Sequence, residues 1–584
     1  MKHILLFCLP LLIYSCSTRQ KTKADLIVHN AVIYTVDQKF NTAQCLVVKD
    51  GKIMAVGKDD SILSRFDATQ VVDANGSAIV PGFIDAHCHF YEYGRSLEEV
   101  DLVGTHSFNE VITRIRGFVK DHPDLLTDKN GKSNWIMGHG WDQNNWPSKE
   151  FPERKALDSL FPHTPVYLSR IDGHAALVNG EAFRQAGVNE WKIVEGGSIK
   201  LRGRWKDVRC EDLIQPAKVE FEFLSGVLVD NAMNLVNKVL LHPSKTDMKK
   251  ALLDAQRNCL AVGLTTVDDA GLEKEVVDLM DQLQKDGELK MRVYAMLTPN
   301  AENLGYYLTH GLYKTERMNI RSFKFYADGA LGSRGACLLK PYTDKPDQQG
   351  FLLNKPEYYR KMAVEMFRKG FQMNTHCIGD SAVRLLLHVY DEIFKDYVQK
   401  GGHLHLNPRW RIEHFQVTTA ADIALLRSYG RQQISPIPSV QPTHATSDMS
   451  WAGSRLGKER LKYAYAYKDL KDAAGMVALG TDFPVENISP FKTFYAAVNR
   501  TDSTGSPAGG FQPENALSRE DALRGMTIWA AYANFEEKEK GSLEPGKYAD
   551  FVILSADLMK TNAAGLPAIS AMATYINGEK VFGK

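Results

Sequence analysis

The chain has 584 residues, 44% hydrophobic and 24% charged, enough for a large core and two or more domains. With 71 Lys and Arg against 70 Asp and Glu its net charge is +1, so no broad field favours nucleic acid or an anionic membrane surface. The sequence carries no repeat, low-complexity tract or long charge run.

The chain opens on Met1-Lys2-His3, an apolar run over 4–14 and then Ser15-Cys16, followed by polar residues. The run is too short to span a bilayer as a helix, which takes about 20 residues. This start resembles a bacterial lipoprotein signal, with a leader over 1–16, Cys16 as the lipidated residue and a linker over 17–24. The expected location is the bacterial cell envelope, facing the periplasm or on the surface, with the lipid as the sole membrane contact. Without lipidation of Cys16 the protein is secreted, and a buried N-terminal strand or helix is a third reading. The cysteines outside the leader (Cys45, Cys88, Cys210, Cys259, Cys337 and Cys377) show no Cys-x-x-Cys spacing and are expected to be buried small hydrophobes.

Residues 25–78 read as strands and turns, and Asp50-Gly51 between two apolar runs predicts a hairpin. Residues 541–584 have the same character, with Asn577-Gly578 as the turn. Each segment is small for a core of its own, so one β-sandwich domain built from both termini is expected. Between them, short apolar runs alternate with helical patterns, the signature of a parallel α/β sheet or barrel. Strands are expected over 79–86, 264–268, 291–297, 322–326, 371–375, 410–413, 433–436 and 476–480. Eight is the number of a TIM-like (β/α)8 barrel, here spanning 79–540, and such barrels carry their active sites at the C-terminal strand ends. The span from about 90 to 262 is too long for a crossover and is expected to be an inserted subdomain over the barrel mouth. The basic stretch 200–214 inside it has no assigned role.

The first strand ends in His87-x-His89. Residues i and i+2 of a strand face the same side, and paired imidazoles suit zinc and its neighbours, although such a pair can also simply pack. A second His-x-His, His403 and His405, lies between glycines and a proline and reads as loop. Lys324 sits on the fourth strand, His376 ends the fifth, His414 ends the sixth and Asp482 follows the eighth. Singly these residues read as helix caps or a core ion pair; together they mark one rim.

His87-x-His89, Lys324, His376, His414 and Asp482, in this order, resemble the metal ligands of the amidohydrolase superfamily. The wording over 328–334, 374–380, 411–416 and 480–485 is similar to YtcJ-like amidohydrolases of family 3, which include N-substituted formamide deformylases. The resemblance covers nearly everything after the leader. It implies one or two divalent metals, zinc foremost. His87, His89 and Asp482 would hold the more buried ion, His376 and His414 the more exposed one, and Lys324 would bridge them as a carbamate. A single-metal enzyme with an unmodified lysine in a salt bridge is the alternative.

The implied reaction is hydrolysis of a non-peptide C–N bond (amide, formamide or cyclic amide) by a metal-activated hydroxide, with Asp482 as catalytic proton shuttle. The partner is a small-molecule substrate, and the oligomeric state, homo-oligomer included, stays open. Trp141 and His174 in the insertion, and Arg334 and His444 after the fourth and seventh strands, are candidate substrate contacts, each with a structural reading as well. Asp380 reads as a helix cap. The alternative function is a non-catalytic envelope lipoprotein that binds a small molecule on this scaffold, against which the intact ligand set argues. No zincin helix, Gly-x-Ser-x-Gly elbow or Walker loop competes.

Overall fold

A computed structural model describes residues 21–126, 134–203, 219–399, 407–430 and 435–583. Cys16 and the leader, Cys210, His403, His405 and 204–214 of the basic stretch lie outside the described residues.

Eight parallel strands run side by side in chain order: β1 (Phe83–Cys88), β2 (Leu264–Leu272), β3 (Arg292–Leu297), β4 (Met318–Tyr326), β5 (Gln372–Cys377), β6 (Arg411–His414), β7 (Ile437–Val440) and β8 (Ala478–Leu479). Alternation sorts their side chains. Val267, Val293, Phe323, Phe325, Met373 and Ile412 point outward into one apolar core shared with helices such as Lys245–Ala261 and Pro356–Lys369. Their neighbours Asp268, Lys324, Asn374, Arg411 and Glu413 are buried on the inner face. An all-apolar pattern is usual for strands covered on both faces, so this charged interior is a departure with a purpose.

The circle closes between β8 and β1 through main-chain and side-chain bonds. Asp482 N donates to His87 O (2.7 Å), Thr481 N to Asp85 Oδ1 (2.9 Å) and Thr481 Oγ1 to Asp85 Oδ2 (2.7 Å). Gly480 allows this approach, because a Cβ there would lie 2.5 Å from His87 N.

Two expected strands fall differently. The run expected over 79–86 is divided at Gly82: Ala78–Pro81 pairs antiparallel with Phe551–Leu554 near the C-terminus, and only Phe83–Cys88 enters the barrel. The seventh strand is Ile437–Val440, C-terminal to the expected 433–436, and contains Pro438. Ile437 N donates to Trp410 O (2.8 Å), so the nitrogen of residue 438 faces the other flank. There β8 is two residues long and begins opposite Ser439, leaving proline no ladder bond to lose.

Residues from both chain ends form two facing sheets that share a core of Leu26, Val28, Ile33, Leu46, Ile79, Phe551 and Tyr575. Both expected hairpins are present, with positive φ at each turn pair (50° and 75° at Asp50-Gly51, 53° and 72° at Asn577-Gly578). Between β1 and β2 a six-stranded mixed sheet, Val100–Asp101 to Leu224–Asp230, stands on its own core and contributes to the wall above the barrel mouth. Among the described residues no helix is long and apolar enough to cross a membrane.

Candidate metal centre

Alternation on β1 turns Asp85 and His87 inward and Cys88 outward. His89 sits at the start of helix Phe90–Ser96, whose first amides, Phe90 N and Tyr91 N, donate to Asp269 of β2 (3.0 and 3.1 Å). That carboxylate caps the helix and fixes the backbone of His89. On β6, Arg411 and Glu413 face inward, so alternation would send His414 outward. Instead His414 takes φ 68° and brings its ring within 4.7 Å of His87 and 4.5 Å of His376. Asp482 likewise has φ 66°. Left-handed backbone at such residues costs about 1–3 kcal/mol each and gathers at functional sites.

Asp482 is the hub. Its Oδ1 lies 3.2 Å from His89 Nε2 and 3.6 Å from His87 Nε2; its Oδ2 lies 3.5 Å from His444 Nε2 and 4.0 Å from His414 Nδ1. Oδ1 is buried and makes no well-formed hydrogen bond, and neither does His444 Nε2. His87, His89 and Asp482 form one set of donor atoms, all within 4.8 Å of one another, and His414, His444 and Asp482 form another. Burial holds His376 and His414 well below the ordinary imidazole range and His87 down to about 4, so all three are neutral and offer lone pairs. Burial opposes the charge on Asp482, yet the imidazoles of His89, His87 and His444 keep its carboxyl below the usual range. Neutral imidazoles around an ionised, under-bonded carboxylate are the donor set of a divalent metal.

Behind the hub runs a chain of buried charges. His87 Nδ1 meets Glu413 Oε2 at 2.5 Å, and Glu413 Oε1 meets Arg411 Nε at 2.7 Å. Arg411 continues to Asp268 (2.8 Å), Ser439 Oγ (3.1 Å) and the Ala86 carbonyl, and Asn534 donates to Asp268 (2.6 Å). Burial pushes Glu413 up, but Arg411 and His87 outweigh it and hold it down to about 2. A carboxylate on Nδ1 aims Nε2 at the metal position and raises its basicity. Lys324 Nζ bonds the same His87 Nε2 at 3.0 Å, and burial lowers its ammonium to about 8.

The other expected residues divide. His174 and His444 line a cavity of about 300 Å³ above the hub, together with His89, Lys324, Tyr326, His376, His414 and Asp482. His174 is held by Asp230 (Nδ1 to Oδ1, 2.6 Å) and its ring lies 4.7 Å from that of His376. His376 Nε2 turns to the Gly329 carbonyl (3.5 Å), so it is His444 that joins His414 and Asp482 in the second donor set. Trp141 and Arg334 do not face the cavity. Trp141 is fully buried in the core of the insertion, with Nε1 on the Leu168 carbonyl (2.8 Å), because its neighbours Gly140 and Asp142 take the wall positions. Arg334, at φ 62°, turns to Asp344 (3.0 Å), which also binds Arg455. Asp380 begins helix Asp380–Gln399 and accepts from Leu339 N (2.8 Å).

A parallel eight-stranded barrel with histidines and an aspartate on its C-terminal rim defines a metal-dependent hydrolase. The chain belongs to the amidohydrolase family, whose model matches residues 70–582, and it is therefore a hydrolase of carbon–nitrogen bonds. It is 28% identical over 567 residues to the putative amidohydrolase YtcJ of Bacillus subtilis, covering 96% of this chain and 99% of that one. It is 24% identical over 578 residues to the N-substituted formamide deformylase of Arthrobacter pascens, covering 95% and 97%. Among solved structures, an uncharacterized metal-dependent hydrolase from Pyrococcus horikoshii superimposes with a TM-score of 0.68 at 27% identity, covering 92% and 99%.

Proposed function

We propose that this enzyme hydrolyses a small-molecule amide, formamide or cyclic amide at a zinc-type centre on His87, His89 and Asp482, with Asp482 as its proton shuttle. The observation that carries the reading is the buried, under-bonded Asp482 Oδ1 between two imidazole Nε2 atoms at the floor of a cavity. A bound metal supplies Lewis-acid polarisation of the scissile carbonyl and lowers the pKa of water. The protein does the rest. His87 is aimed by Glu413 and His89 by the helix that Asp269 caps. Asp482 Oδ2 faces His414 and His444, where it takes the proton of the attacking water and returns it to the departing nitrogen, so that water adds across the C–N bond.

Lys324 decides the metal count. Its hydrogen bond to His87 Nε2 uses the lone pair a metal would require, so Lys324 would have to give up this bond for His87 to hold an ion. Burial has already lowered its pKa to about 8, which raises the neutral amine fraction that reacts with CO₂. As a carbamate Lys324 would offer an anionic oxygen to a second ion, for which His414 and either His376 or His444 would be the nitrogen donors. Elemental analysis of protein prepared without chelator is expected to give about two metals per chain for the carbamate form. Lys324→Ala is expected to lose metal and to regain it with a short-chain carboxylate. Unchanged metal content in Lys324→Ala would mean one ion and an unmodified lysine, and no metal in the wild type would sink the centre itself.

The start of the chain supports a second assignment, to the bacterial cell envelope through a lipid on Cys16. Cys16→Ser is expected to move the protein from the membrane to the soluble fraction. Unchanged fractionation would reject the anchor.

A further inference from the structure

Beyond the metal rim, the catalytic cavity has carboxylates that the hydrolysis does not use. Asp448, at the end of helix Pro442–Asp448, and Glu486, in the loop after β8, line its wall. The imidazole of His444 acts on both of them as it acts on Asp482. Asp448 Oδ2 accepts from Tyr465 Oη (2.7 Å) and Gln416 Nε2 (3.2 Å), which leaves Oδ1 without a hydrogen bond among the described residues. Burial pushes Asp448 up to about 7, to which the charges of Glu486 and Asp142 add, and it pushes Glu486 up as well. The two cations on the wall are engaged elsewhere: Arg170 pairs with Asp142 and Asp172, and Lys324 Nζ bonds His87. Lys492 acts on Glu486 without forming an ion pair, and among the described residues no Lys or Arg pairs with Asp448. A third group on this wall is also unanswered. Trp451 is only 6% exposed and lines the cavity, yet its indole Nε1 makes no hydrogen bond among the described residues. Buried polar groups are normally paired, so an open donor beside two carboxylates marks a surface built to meet a ligand. Carboxylates out of water are costly without a counter-ion, and a ligand cation supplies one.

We propose that the cavity selects amides that carry a positive charge: with the scissile bond over Asp482, an ammonium or guanidinium of the same molecule is held by Asp448 and Glu486 beside Trp451. The inference rests on the amide-hydrolase reading and deepens it by naming the charge of the substrate. The cation takes no part in the bond change; it fixes which molecules reach Asp482 and how they lie there. A hydrogen bond to a charged group changes affinity by about tenfold or more, so an ammonium gains at least that much over a methyl group in the same place.

The test pairs N-(aminobutyl)formamide with N-pentylformamide, which present the same bond and differ by an ammonium in place of a methyl group. Dissociation constants and kcat/KM are measured at low and high salt on the metal-loaded, full-length protein and on Asp448→Asn and Glu486→Gln, which keep the shape of the wall and remove its charge. The ammonium compound is expected to bind at least about tenfold more tightly to the wild type. This advantage is expected to weaken as salt rises and to shrink toward unity in both variants. Equal dissociation constants in the wild type, including no measurable binding of either compound, would overturn the proposal, as would an advantage that survives both substitutions. Cleavage of both compounds with equal kcat/KM would overturn it too while leaving the amide-hydrolase reading in place. Preferential binding of the ammonium compound without cleavage would leave the cation site standing and remove the amide-hydrolase reading instead.

Discussion

Asp482→Asn is expected to lower kcat on the order of 10³–10⁴-fold while the protein keeps its fold. Proton transfer by a positioned carboxylate contributes about 10²–10⁴, and asparagine also removes the carboxylate that the two donor sets share. Asparagine matches aspartate in shape, and the main-chain bond from residue 482 to the His87 carbonyl, which closes the barrel, needs no carboxylate. The metal-free variant is therefore expected to keep its fold and unfold cooperatively, with a lower midpoint than the wild type at neutral pH. The sign of the pH effect follows from the depressed carboxyl. A group whose folded pKa lies below its unfolded value adds stability above the unfolded pKa and loses it as pH falls through the folded one. The wild type is accordingly expected to lose stability on acidification more steeply than the asparagine variant. An Asp482→Asn enzyme within tenfold of wild-type turnover would remove the proton-shuttle role.

Arg411→Leu is expected to be the most destabilising single change in the barrel. It leaves Glu413 and Asp268, both fully buried, without their shared cation. Stranding a buried charge costs about 3–5 kcal/mol, and the lost bonds to Ser439 and the Ala86 carbonyl add to it. The comparison is Arg334→Leu, which breaks a partly exposed pair (15% and 22%) whose Asp344 keeps a second cation in Arg455; it strands no fully buried charge and is expected to cost less. Arg411→Leu also frees Glu413 from its anchor, and loss of such outer support lowers metal affinity by about 10–100-fold. Chemical denaturation and metal titration of the two variants give the answer. An Arg411→Leu protein no less stable than Arg334→Leu would show that the chain of charges is not what holds the barrel interior.

The strand ends were open to reading in the sequence because a metal needs side chains of a few kinds at fixed places. His87, His89, His376, His414 and Asp482 stand out by type and position together. Arg411 and Glu413 lie within the same four-residue strand and match no ligand type at a strand end. Their signal was two charges at i and i+2 in a strand covered on both faces, a place where charge survives only if paired. Trp141 and Arg334 show the opposite failure. A motif tells which residue is present and not which way its side chain turns: a tryptophan beside two wall positions points into the insertion's core, and an arginine at positive φ turns to Asp344. His444 entered the metal rim because helix Pro442–Asp448 starts directly after β7 and leans its first turn over the hub, an angle no local pattern encodes. The displaced seventh strand has the same origin, since the shortness of β8 decides that Pro438 is tolerated, and that shortness belongs to a different part of the chain.

The antiparallel pairing of Phe551 with Pro81 ties the two ends of the molecule into one sheet. Some 470 residues separate these partners, the difference between 551 and 81. At roughly 5–20 residues per second a ribosome needs on the order of half a minute to a minute and a half to supply the second after the first. Throughout that interval Ala78–Pro81 lacks its Phe551–Leu554 neighbour and presents an unsatisfied strand edge, the feature most prone to pair with the wrong chain. Maturation thus waits for the synthesis of Phe551–Leu554, and a polypeptide cut short anywhere before 551 is left with its first sheet open, however complete its barrel.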